Sequence, residues 1–228
     1  IYGINNNQKL INTFNDDKDF QKALLILINT IKNNENICIL GDYDVDGACA
    51  TSLLVRYFTH INQKHFFYIP DRVEDGYGAS IKLFQKLILR KPKLVIMVDC
   101  GSTSNEAINY LNKHNIKSII IDHHEINKPH PKSNVIINPK KELIKKEKSL
   151  LCATALTYFF IEILIKETNS NYKISDFLIY VLLATICDVM PLRKINKIIA
   201  RNAIDNLNIQ DNLALNHLLQ QHNLKKKL

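Results

Sequence analysis

Three aspartates at alternate positions, Asp42, Asp44 and Asp46 in the stretch GDYDVDG, directly follow the apolar run Ile37-Cys38-Ile39-Leu40. Four consecutive apolar residues closed by a glycine read as a buried strand. The carboxylates then sit at the strand's C-terminal end, the edge where open α/β sheets receive their ligands. Carboxylates this close repel one another, and unless a cation neutralises them some must hold protons. A divalent metal is the simplest neutralisation. An acidic turn capping the next helix is the alternative, because D-x-D-G is also turn chemistry.

The same pattern recurs downstream. Residues 65–70 (HFFYIP) read as a second strand, and 93–98 (KLVIMV) as a third that ends in Asp99. Residues 118–121 end in Asp122-His123-His124, and a short run at 134–137 ends in Asn138-Pro139. Between them the spacing predicts helices over 18–32 (capped by Asp16 or Asp17), 48–60, 81–90 and 104–115 (capped by Ser104). Strands alternating with helices give an α/β fold: a mostly parallel β-sheet flanked by helices. Beyond about 149 the pattern is all helical, over 150–167, 175–187, 193–207 and, more weakly, 210–222. The expected division is a loose leader over 1–17, an α/β core over 18–149 and a helical C-terminal segment over 150–228, with the Lys-rich stretch 140–148 as boundary.

In a parallel sheet the C-terminal strand ends share one edge, so Asp42, Asp44, Asp46, Asp99, Asp122, His123 and His124 converge. Asp188 joins them as a further candidate, because an acid at the end of an apolar helix opposes the macrodipole and needs a reason to be there. Taken singly, Asp99 could cap a turn, the histidines could be loop residues and Asp188 a helix-end oddity. Carboxylates with imidazoles and no thiolate pairs favour Mn2+ or Mg2+ over zinc. So many acids suit two ions rather than one. A metal pair can bridge a phosphate and acidify a water, which makes phosphoester hydrolysis the fitting reaction.

The net charge of +8 admits a nucleic-acid partner, although a chain rich in Lys, Asn and Ile throughout can carry that charge for compositional reasons. Five cysteines without a C-x-x-C pair suit reduced, buried thiols in a cytoplasmic setting. No apolar run reaches the roughly 18 residues of a membrane span. The first residue is Ile, so the sequence reads as a fragment.

GDYDVDGA, VDCGSTSNEAI, IIDHHE and CDVMPL occur in this order, and together they resemble the DHH phosphoesterase superfamily, within it the bacterial RecJ-type exonucleases. IPDRVEDGYG is similar to an Arg and Gly-Tyr-Gly loop of those proteins, and INPK and PLRKIN echo them too. The resemblance implies 5′→3′ hydrolysis of single-stranded DNA, alongside DNA-repair proteins in the cytoplasm. It implies Asp42 and Asp44 as ligands of one metal, Asp46, His123 and Asp188 as ligands of the other, and Asp99 as the bridge. It makes His124 the residue at the scissile phosphate and Arg72 a phosphate contact, with Gly76 and Gly78 letting the backbone approach. Arg72 could instead be a surface residue pairing Glu74 or Asp75, and Asp122 is expected to orient the histidines.

Two departures qualify the likeness. Ala153 and Ala155 stand in LCATALTYF where the family has a Gly-rich helix start, and a methyl there could narrow the cleft. The second domain that closes the cleft in RecJ-type enzymes is expected to be absent, with reduced activity. The other readings are a DHH phosphodiesterase acting on short oligonucleotides or cyclic dinucleotides, and a degenerate, non-catalytic fragment.

Overall fold

Strands that are apolar on both faces must be covered on both faces, and parallel sheets meet that demand with helices. In the computed structural model, which describes residues 9–76, 78–141, 148–207, 216–217 and 221, the apolar runs form β1 (Ile37–Leu40), β2 (His65–Tyr68), β3 (Leu94–Val98), β4 (Lys117–Ile121) and β5 (Val135–Ile137). All pairings are parallel, in the order β2-β1-β3-β4-β5.

The helices are α1 (Lys18–Lys32), α2 (Val45–His60), α3 (Ile81–Leu87), α4 (Asn105–Lys113), α5 (Ala153–Thr168), α6 (Leu178–Cys187) and α7 (Lys194–Asp205). Ile37, Ile39, Ile96, Val98, Ile119 and Ile121 belong to one buried cluster with α1, α2, α5 and α6. The alternate residues Cys38, Leu40, Val95, Met97 and Ile120 pack with α3 and α4. This alternation is the two-residue period of a strand, here buried twice over.

The chain leaves β1 toward β2 and later returns on the other side as β3. The order therefore reverses between β1 and β3, and at such a switch point the loops part to leave a crevice beyond the C-terminal strand ends.

Several boundaries differ from the sequence expectation. Helix α2 starts at Val45 rather than 48, inside the acidic motif, because Asp44 Oδ1 accepts the Gly47 N–H at 2.9 Å and caps it. Asp17 caps α1. Ser104 holds the corresponding position of α4, yet its side chain makes no capping bond. Residues 88–90 and 174–177 are 3-10 turns rather than α-helix. At the described ends of the Lys-rich stretch Lys141 pairs with Asp19 and Lys148 Nζ donates to the Thr13 carbonyl, while β5 and the start of α5 share one core. Lys145, Lys146, the tail Lys225–Lys227 and most of the expected helix 210–222 lie outside the described residues.

Candidate metal centre

Glycine lets β1 turn directly into α2. A Cβ on Gly47 would lie 2.6 Å from the backbone nitrogen and carbonyl oxygen of Asp42, so only hydrogen fits where the first turn of α2 passes under the acidic loop. Asp42 and Asp46 are buried by this arrangement and Asp44 remains exposed.

Asp99 follows β3 with a φ of 61°, a left-handed conformation uncommon outside glycine. It is 1% exposed, and neither carboxylate oxygen accepts a hydrogen bond from the described residues. Burial, followed by the charges of Asp46 and Asp44, pushes its carboxyl up to about 11. Burial also raises Asp42 and Asp188 from the ordinary carboxylate value; the neighbouring Asp44 adds to both, and Asp46 to Asp188.

His123 projects one nitrogen, Nε2, among three carboxylates: 3.2 Å from Asp99 Oδ1, 3.5 Å from Asp188 Oδ2 and 3.6 Å from Asp46 Oδ2. None of these contacts is aligned as a hydrogen bond, and Nε2, Asp99 Oδ1 and Asp188 Oδ2 are buried without a hydrogen-bond partner among the described residues. Ligand atoms within 4.8 Å of one another form the sets Asp42–Asp44–Asp99, Asp46–His123–Asp188 and Asp99–His123–His124. Buried acceptors converging with no donor between them are what a cation would satisfy. The donor set, oxygen with imidazole, fits a hard or borderline divalent ion.

Asp46 is anchored from a distant part of the chain. Its Oδ2 accepts the Ala153 N–H at 2.7 Å and its Oδ1 the Thr154 N–H at 2.8 Å, while Thr154 Oγ1 donates to its carbonyl at 2.8 Å. These N–H groups open α5, where the helix dipole also favours an anion. Ala153 and Ala155 are fully buried, and the contact with Asp46 runs through backbone N–H groups.

Asp122 belongs to none of these ligand sets. It accepts from the backbone N–H groups of Ser102, His123 and His124 and bonds His124 Nδ1 at 2.8 Å. Burial pushes this carboxyl up, but the bonds from His124 and Ser102 outweigh it and hold the group well below the usual range. The same bond raises His124, against the opposing effect of burial. Asn138, at the end of β5, steadies this corner by donating to Ser102 Oγ at 2.8 Å and to the His124 carbonyl at 2.9 Å.

The DHH family, N-terminal domain, matches residues 36–186. The chain belongs to the DHH family. The single-stranded-DNA-specific exonuclease RecJ of Haemophilus influenzae is 29% identical over 191 residues, which are 79% of this chain and 33% of that protein. The Bacillus subtilis RecJ is 28% identical over 203 residues, 89% of this chain and 25% of that one. The DHH-family chain thus spans a third or less of the length of these curated relatives. Among solved structures, exonuclease RecJ bound to manganese superposes with a TM-score of 0.80 at 24% identity, covering 90% of this chain and 52% of that one. RecJ from Thermus thermophilus in complex with Mn2+ gives 0.76 at 22% identity, over 90% and 29%. At these identities the likeness is one of fold.

In this DHH-family chain the loop after β2 is folded on its own acids. Asp71 Oδ1 accepts from the N–H groups of Val73 and Glu74, and Asp75 bonds Tyr68 Oη and Lys86 Nζ. Arg72 pairs neither Glu74 nor Asp75; its guanidinium lies 5.5 Å from the Tyr43 ring centroid, over the motif. Gly76 and Gly78 have φ of 77° and 72°, and a Cβ at either would meet nothing within 4 Å. Glycine at both positions suits this left-handed backbone conformation.

Sequence reasoning missed Tyr43, Asn138 and the N–H groups of Ala153 and Thr154. Tyr43 had a signal, as an aromatic placed between two of the acids. The backbone donors had none, since an N–H is common to all residues but proline.

Among the described residues no helix is long and apolar enough to cross a membrane, and all five cysteines are free.

Proposed function

We propose that the chain carries a two-cation centre for phosphodiester hydrolysis on single-stranded DNA, the substrate in its RecJ relatives' names, and that it acts from the 5′ end, as the motif resemblance implies. The observation that carries the reading is the pairing of two ligand sets, Asp42–Asp44–Asp99 and Asp46–His123–Asp188, with Asp99 beside His123 of the second. Mn2+ or Mg2+ is the matching ion pair, Asp42 and Asp44 holding one, Asp46, His123 and Asp188 the other, and Asp99 lying between. When bound, such a pair supplies Lewis-acid polarisation of a phosphate and a lowered pKa for the attacking water.

The chain's own residues do the rest. Asp46, fixed by two N–H donors, keeps its carboxylate in place beside His123. Asp122 bonds His124 Nδ1 at 2.8 Å and holds the ring in place, and when the ring is protonated its other nitrogen is a donor for a phosphate oxygen as charge builds. Arg72 adds a cation at the rim for a second phosphate. Single-stranded DNA is the proposed partner, in a cytoplasmic repair setting.

The test is Mn2+-dependent hydrolysis of 5′- and 3′-labelled single strands, duplex and dinucleotides. The expected result is mononucleotide release from the 5′ end of single strands. Equal or faster turnover of dinucleotides would instead assign the centre to short oligonucleotides. No hydrolysis of any of these, with two ions bound, would leave a metal-binding domain without catalysis.

A further inference from the structure

The Asp46–His123–Asp188 set is the one whose parts come from farthest apart, and two chain segments must meet for it to exist. One enters α5 through Leu150, Leu151 and Cys152 and presents the N–H groups that hold Asp46. The other leaves α6 at Asp188 and continues through Val189, Met190 and Pro191. Neither segment is regular. Val189 has a φ of 53°, which a β-branched residue adopts only when its surroundings impose it. A third element has to hold this pair in register.

Asn196, in the first turn of α7, lies between them with no solvent exposure. Its Nδ2 donates to the Leu150 carbonyl at 2.6 Å and to the Pro191 carbonyl at 3.1 Å. The two bonds reach three residues before Ala153 and three residues after Asp188. They spend both amide hydrogens on the two segments, and the side-chain Oδ1 is buried with no hydrogen-bond partner among the described residues. An amide with this burial and this one-sided use is placed for its donors. Cys152 Sγ and Thr185 Oγ1, 3.7 Å apart, bring the same segments together one layer deeper, but this contact is weaker than either amide bond.

We infer that Asn196 is a positioning residue for the second cation, setting the separation of Asp46 and Asp188 without touching either. The inference rests on the two-cation reading above. It also gives the PLRKIN stretch a role: its Pro191 carbonyl and Asn196 amide close a loop over the end of α6. A residue that only filled the core of α7 would affect stability without distinguishing one cation from the other. Asn196 should affect one.

The experiment is calorimetric titration of the chelator-treated 228-residue chain with Mn2+, for wild type, Asn196→Ala and Ile199→Ala, each with its melting temperature. Ile199 is equally buried on α7 and bonds neither segment, so its truncation reports the structural effect alone. The wild type is expected to bind two ions. Asn196→Ala is expected to weaken one of them by about 10-fold and leave the other unchanged, the usual scale when a group behind a ligand is removed. Ile199→Ala should lower the melting temperature and change neither affinity. Should Asn196→Ala fail to fold, Asn196→Ser, too short to span both carbonyls, carries the same comparison. Unchanged affinities, or two affinities weakened equally, would overturn the inference and leave the two-cation reading standing. A wild-type chain binding fewer than two ions would overturn that reading and the inference with it.

Discussion

Asp42, Asp44 and Asp99 come from the ends of two adjacent strands, β1 and β3, at the switch point of the sheet. Asp46, His123 and Asp188 come from the first turn of one helix, the end of β4 and the last turn of another helix. The first set follows almost automatically once the sheet pairs in register. The second exists only because α5 and α6 pack on the same core and deliver their termini to one place. The two sets also differ in how their charge is met. Asp99 accepts no hydrogen bond from the described residues, whereas both oxygens of Asp46 are occupied by backbone N–H groups. A carboxylate left bare is arranged for a cation; one that is bonded from behind is also arranged for the fold.

The largest effect should come from the residue nearest both sets. Asp99→Ala is expected to reduce Mn2+-dependent hydrolysis by more than about 1000-fold, since several kcal/mol of charge stabilisation depend on the ions it helps hold. In chelator the same substitution should raise the melting temperature, because it removes a carboxyl that burial and the charges of Asp46 and Asp44 keep from ionising as it does in the unfolded chain. Activity retained within about 10-fold of wild type, a difference of about 1.4 kcal/mol, would remove Asp99 from the centre. A lowered melting temperature would show that its carboxylate is satisfied after all.

Asp46→Ala sharpens the contrast. It too removes a buried acid, yet it leaves the Ala153 and Thr154 N–H groups without their acceptor. The relief of repulsion opposes that loss, but charge-assisted bonds to a helix N-terminus dominate. The variant is expected to be less stable in chelator by about 2 kcal/mol, as for buried donors left unpaired. Chemical denaturation of Asp46→Ala and Asp99→Ala side by side should therefore give shifts of opposite sign. Shifts of the same sign would erase the distinction between the two sets.

The unequal legibility of the site follows from the same contrast. β1, β3 and β4 each advertised themselves as an apolar run closed by Asp42, Asp99 or Asp122, and parallel pairing then brings those ends to one edge. Asp188 was legible as an acid where the helix dipole disfavours one. What stayed hidden was carried by groups without a residue-specific mark: the N–H groups of Ala153 and Thr154, and the early start of α2, where a capping acid and a ligand acid look alike in sequence. The glycines of the DRVEDGYG loop were ambiguous, since a positive φ and a close approach select the same residue.

The smallest effect is expected at the rim, where Arg72 stacks over Tyr43 and neither residue is among the ligands. Arg72→Ala should raise KM for single-stranded DNA by about 10-fold while changing kcat little, as for a contact made equally in ground and transition states. Tyr43→Ala removes the stacking surface under the guanidinium, worth about 0.5–1 kcal/mol at an exposed site, and should raise KM by about 2- to 5-fold. Tyr43→Phe keeps the ring and should behave as wild type. If the stack matters because it aims the guanidinium, Tyr43→Ala should cost nothing further once Arg72 is Ala. Independent, multiplying effects in that double variant would mean that Tyr43 meets the substrate directly, and the rim would then be two contacts rather than one.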